Sequence, residues 1–114
     1  MQYDTGKTRK EFDRLMADIR RAVPQEFEAF IKEKETVMKS GRVPEKNKWL
    51  LLLVASVSHK CPVCIAMAVE RCLKAGWSRE EMLEACMVGV LVGGSSVMTY
   101  VTLVEKSIQE HSSK

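Results

Sequence analysis

From Ala85 to Val104 the chain carries no charged residue, and Gly93-Gly94-Ser95-Ser96 interrupts that run near its middle. Twenty uncharged residues are nominally enough to span a bilayer. The glycine pair, Gly89 and the hydroxyls of Thr99 and Thr102 make a continuous membrane helix a poor reading. Two buried helices that meet at the glycines fit better. A second apolar run, Trp49 to Ala55, has no polar face. A helix that is apolar on every side must be covered on every side. A chain of 114 residues with two such regions and only two amphipathic helices to cover them is expected to oligomerise.

The remaining pattern is helical throughout. There is no sustained period-two alternation and no Asn-Gly turn. Thr8 and Glu11 have the spacing of a capping box, ahead of an apolar face formed by Phe12, Leu15, Met16 and Ile19. Pro24 suits the first turn of a second helix, which Phe27, Phe30, Ile31, Val37 and Met38 carry to Ser40-Gly41. Val43-Pro44-Glu45 opens a third. Cys61-Pro62 opens a fourth that stops at Ala75-Gly76. Ser78 to Glu81 is the clearest cap, starting a fifth helix with Met82, Leu83, Cys86 and Val90 inward. A sixth runs from Ser95 to the polar tail. The expected fold class is all-α, a single domain over 1–114 with about six helices. Within it, an N-terminal helical pair covers 8–40 and a core unit covers 44–104.

The net charge of +3 comes from 18 basic and 15 acidic residues, which are intermixed, as in Lys32-Glu33-Lys34-Glu35. No basic stripe suggests nucleic acid or a membrane surface. The opening residues, MQYDTGKTRKEFDRL, lack the apolar core of a secretory signal, so a cytoplasmic location is expected.

Three of the four cysteines lie in SHKCPVCIAMAVERC, residues 58–72. Cys61 and Cys64 form a C-x-x-C pair. In a reducing compartment such a pair is more often catalytic or metal-binding than structural. Pro62 at the first helical position would make Cys61 the N-cap, where free N–H groups and the helix dipole favour thiolate. Cys64 is one turn on, on the same side, so one thiol can attack and the other resolve. Lys60 and protonated His59 add positive charge. Spacing alone leaves open which thiol attacks. Cys72 and Cys86 fit amphipathic patterns and are expected to pack as small hydrophobes. No second knuckle pair completes a zinc site. His59, two residues before Cys61, is a candidate base, as is Glu45 one turn before Trp49; an exposed loop histidine and a helix-start acid are the plainer readings of the two. His111 is expected to be solvated in the tail.

The segments PEKNKWLLLLVASVSHKCPVC, AGWSREEMLEA and VGVLVGGSSVMTY, in this order over Pro44 to Tyr100, resemble the carboxymuconolactone decarboxylase-like family. Within it they resemble the alkyl hydroperoxidase D branch. The resemblance implies an all-helical homo-oligomer, commonly a trimer or hexamer, with no bound cofactor. It implies peroxide reduction or thiol-disulfide exchange, with electrons from a dithiol partner. It carries the redox pair onto Cys61 and Cys64, the second commonly being the attacking thiol. The same resemblance expects a relay glutamate twelve positions before the first cysteine and a relay histidine four after the second. Trp49 and Ala68 stand there. Neither can move a proton, and general-base help is worth about two to four orders of magnitude. The expectation is a thiol-disulfide oxidoreductase that is weak as a peroxidase. The alternative is a catalytically silent helical oligomer acting as a binding or scaffold protein.

Overall fold

The computed structural model describes residues 5–112, and among them the only regular elements are six helices. These are α1 (Thr5–Ala22), α2 (Pro24–Met38), α3 (Glu45–Ser58), α4 (Pro62–Lys74), α5 (Arg79–Gly93) and α6 (Ser95–Ser112). None is long and apolar enough to cross a membrane.

The core lies where α3, α4, α5 and α6 meet. Leu53 and Val57 of α3, Ile65 and Val69 of α4, Met82 and Cys86 of α5 and Val104 of α6 are fully enclosed there. Local chemistry sets most of the boundaries. Ser78 caps α5 with a complete capping box: its hydroxyl accepts from the Glu81 N–H at 3.1 Å, and Glu81 accepts from the Ser78 N–H at 2.8 Å. Arg79 then forks onto Glu105 of α6, with Nε 2.9 and 3.1 Å from the two carboxylate oxygens. Trp77 donates its indole N–H to the Lys46 carbonyl at 2.7 Å and lies under the Lys46 ammonium, tying the α4–α5 turn to the start of α3.

Gly94 alone joins α5 to α6. Its N–H donates to the Val90 carbonyl at 2.7 Å, and its own carbonyl accepts from Val97 and Met98 at 3.0 and 3.2 Å. It thereby caps both helices, with φ 75° and ψ −157°. Gly89 serves a different purpose. A Cβ there would lie 2.9 Å from Ser58 Oγ, so its absence lets α5 settle against α3.

The N-terminal pair is held differently. α2 contains no fully buried residue. Lys48 reaches its C-terminal end and donates to the carbonyls of Val37 and Lys39 at 2.7 and 2.6 Å.

Several expectations need correcting. α1 begins at Thr5, so the Thr8–Glu11 spacing lies inside the helix and does not start it. The α1 face is only half covered, with Leu15 and Ile19 exposed and Phe12 and Met16 half-buried. The run 49–55 is not enclosed all round within one chain: Leu51 and Ala55 face outward on the side of α3 that no other helix covers. α5 and α6 do break at the glycines, but Leu91 and Val92 are 85% and 89% exposed beside the break. His111 is half-buried in the last turn of α6, not in a free tail.

Candidate functional site

The C-x-x-C pair sits where α3 hands over to α4. α3 ends in a Schellman motif: the Lys60 N–H donates to the Val57 carbonyl at 3.0 Å and the Cys61 N–H to the Ser56 carbonyl at 3.1 Å. The motif requires a left-handed residue, and Lys60 takes that place with φ 55°. The same pair of bonds closes α4, from Gly76 to Leu73 and from Trp77 to Cys72, and there the left-handed residue is Gly76. A lysine in this conformation costs about 1–2 kcal/mol relative to the right-handed form. Lys60→Gly is expected to raise stability by about 0.5–1 kcal/mol, the greater freedom of glycine in the unfolded chain offsetting part of the relief. Chemical denaturation checks it. The same change removes a positive charge next to Cys61, so alkylation of the reduced pair should need higher pH.

Cys61 is the N-cap of α4, in extended conformation, with Pro62 at the first helical position. The Cys64 backbone N–H donates to Cys61 Sγ at 3.3 Å. The two cysteines are joined as a disulfide, with Cα atoms 5.2 Å apart. Cys61 is half-buried and Cys64 exposed.

The other candidates are not gathered around this pair. His59 is the C-cap of α3, exposed, and among the described residues its side chain makes no hydrogen bond to either sulfur. Glu45 begins α3, whereas Cys61 follows its far end. Fourteen residues of helix place them about 20 Å apart within one chain. Ala68 is completely buried in the core, and Trp49 packs against that core beneath the Arg71 guanidinium, 5.2 Å from its ring centre. Both positions contribute packing. Among the described residues no three histidine, cysteine or acidic side chains converge into a metal cluster.

Cys72 and Cys86 are free and fully buried. Burial, and then the proximity of Cys86, push the Cys72 thiol up to about 12; burial pushes Cys86 up to about 11. An unfolded chain releases these protons nearer pH 9, so both thiols favour the folded state below that pH. Their contribution is lost as pH climbs from about 9 towards 12. Urea midpoints should therefore fall over that interval by the equivalent of a few kcal/mol, and less steeply in Cys72→Ala.

One feature of the site has no trace in the C-x-x-C spacing. Cys64 lies in the wall of an apolar groove of about 810 Å³ between the N-terminal pair and α3–α4, with Met16, Phe27, Leu52 and Met67 among its other walls.

Residues 24–105 match the model of the Carboxymuconolactone decarboxylase family. The chain belongs to this family. Solved structures of other members share the fold. A carboxymuconolactone decarboxylase family protein from Legionella pneumophila, in its apo form, superposes with a TM-score of 0.90 at 24% identity, covering 93% of this chain and 95% of that one. A family member from Thermotoga maritima, described with a suggested part in an antioxidative response, gives 0.72 at 28% identity, covering 86% and 90%. A Burkholderia xenovorans relative gives 0.71 at 23% identity, over 87% and 81%. No curated protein matches significantly. For this carboxymuconolactone decarboxylase family chain, the Pro44–Tyr100 resemblance lies wholly within the matched segment.

Proposed function

We propose that this protein is a thiol-disulfide oxidoreductase that cycles between a Cys61–Cys64 disulfide and the dithiol. The observation that carries the proposal is the asymmetry of the pair. Cys61 accepts an amide hydrogen bond at a helix N-terminus, and Cys64 is the exposed sulfur. An external dithiol attacks Cys64 Sγ, forms a mixed disulfide and expels Cys61 as thiolate, the leaving group that the helix end favours. The donor's second thiolate then releases Cys64. In the forward half-reaction Cys64 thiolate attacks a substrate disulfide and expels one substrate thiolate; Cys61 thiolate then attacks Cys64 Sγ of the mixed disulfide, expels the second substrate thiolate and closes the intramolecular bond. With a peroxide, Cys64 takes the terminal oxygen to give a sulfenic acid and an alcohol. Cys61 then displaces water and restores the disulfide. That path needs a proton on the departing alkoxide, and Trp49 and Ala68 supply none. Disulfide exchange is therefore the stronger activity and peroxide reduction the weaker. A cytoplasmic setting supplies the dithiol donor.

Alkylation of the reduced protein against pH tests this. A thiol of the pair that reacts well below the free-cysteine value of about 8.5 supports the enzyme. Labelling that begins only near that value supports a second reading, a silent scaffold of the same fold. The burial of Ala68 and the packing of Trp49 favour that second reading.

The proposed protein is a homo-oligomer assembled partly through the α5–α6 junction. Val88, Leu91, Val92 and Met98 make an exposed apolar patch there, of the kind that marks an interface. Leu91→Glu with Val92→Glu should shift sedimentation from oligomer to monomer while leaving helical content unchanged.

A further inference from the structure

Among the described residues, Lys60 is the one residue other than glycine that takes a positive φ. Gly76 holds the matching place in the Schellman motif that ends α4. Any left-handed residue would let the Cys61 N–H turn back to the Ser56 carbonyl, and glycine would do so without strain. The backbone therefore does not call for a lysine here. Strain of this kind clusters at functional sites, where the surrounding structure holds it in place. What lysine adds over glycine is its charge.

That charge is not neutralised within the chain. Arg9, Arg20, Lys74 and Arg79 each hold a carboxylate. Among the described residues Lys60 has no ion pair, and it is exposed. No acid lies between Asn47 and Val69. The element packed against the end of α3 is α5, where a Cβ on Gly89 would lie 2.9 Å from Ser58 Oγ, and residues 85–104 carry no charge. The Lys60 ammonium ends a flexible four-carbon stem, one residue from Cys61, whose sulfur is bonded to Cys64. It reaches within about 10 Å of both sulfurs, about one Debye length at ordinary salt. Glu26, Glu33 and Lys34 of α2 line the groove that Cys64 also lines, and Lys60 is outside that wall. A disulfide that reaches Cys64 from the exposed turn meets Lys60, and one that came through the groove would meet the α2 charges.

We propose that Lys60 selects the substrate by charge, so that the site prefers a disulfide carrying carboxylates close to its sulfurs. The proposal rests on the thiol-disulfide exchange assigned to this pair. In the step concerned, Cys64 thiolate bonds to one substrate sulfur and the other substrate sulfur leaves as thiolate. The ammonium offsets the repulsion between the attacking thiolate and an anionic substrate.

The test is the rate at which three small disulfides oxidise the reduced full-length protein. Dithiodipropionate is anionic, hydroxyethyl disulfide neutral and cystamine cationic. Each rate is divided by that of mercaptoethanol with the same disulfide, a thiolate of equal charge with no lysine beside it. The division removes the intrinsic reactivity of each disulfide. The normalised rates should favour the anion over the cation by about fivefold, and the preference should shrink as salt rises. Lys60→Asn supplies a residue that tolerates the left-handed conformation and should lose most of the preference, whereas Lys60→Arg should keep it. A changed thiolate fraction scales all three rates alike, so the ratio reports charge recognition and not the acidity of the pair. Normalised rates that favour neither charge in the parent would overturn the proposal and leave the redox reading standing. So would a preference that Lys60→Asn retains in full, which would point to approach through the groove. Failure of all three disulfides to oxidise the reduced protein would overturn both.

Discussion

Cys61→Ser is expected to trap the protein as a stable mixed disulfide through Cys64, with turnover reduced at least about a thousandfold. The remaining thiol can still attack, but no neighbour closes the bond and releases the product. Cys64→Ser should lose turnover equally and trap nothing, because Cys61 is half-buried and acts as the leaving sulfur. Cys72→Ala is the control. It removes a thiol enclosed in the core, so cycling should persist while stability falls by about 1–2 kcal/mol. Intact-mass spectrometry after challenge with a small disulfide separates all three. Trapping through Cys61 instead would reverse the assigned roles, and comparable loss of turnover in Cys72→Ala would mean that the wrong cysteines have been paired.

The largest expected stability effect of a single surface change is at Gly94. Its φ of 75° and ψ of −157° lie in a region that is essentially confined to glycine. Gly94→Val places a β-branched side chain in that conformation. Open space surrounds the position, so the penalty is backbone strain and not a clash. The strain costs about 3 kcal/mol, and two helix ends lose their shared cap together. A fall in Tm of about 10 °C is expected by calorimetry. Gly41→Ala, also in open space but without a left-handed backbone, should stay within about 0.5 kcal/mol of the parent.

The features legible in the sequence are those whose cause is local. Ser78 and Glu81 satisfy each other's backbone groups within four residues, and the box is present. Pro62 fixes the first turn of α4 and leaves Cys61 at its cap. The break at Gly93-Gly94 follows from backbone chemistry alone. Thr8 and Glu11 have the same spacing as Ser78 and Glu81, yet the helix already runs three residues ahead of them. A capping motif states a preference that neighbouring residues can outvote. Glu45 misleads for a different reason. Proximity to Trp49 in the chain is proximity along a helix, and the sulfurs lie beyond that helix's other end. The groove needs four helices to exist, and Cys64 joins its wall through packing of elements distant in sequence. No short window of residues encodes that. The exposure of Leu51 has the same origin: a run without a polar face shows that cover is needed but not which surface provides it.

The two sulfurs enclosed by α4 and α5 also bear on the fidelity of the cycle. Burial pushes both the Cys72 and the Cys86 thiol well above the ordinary cysteine range, so neither forms much thiolate near neutral pH. Exchange proceeds only through thiolate. Repeated oxidation and reduction at the helix mouth therefore has only a slow route to a mispaired bridge while the chain stays folded. Fidelity rests on keeping the spare sulfurs un-ionised as much as on the closeness of the working ones.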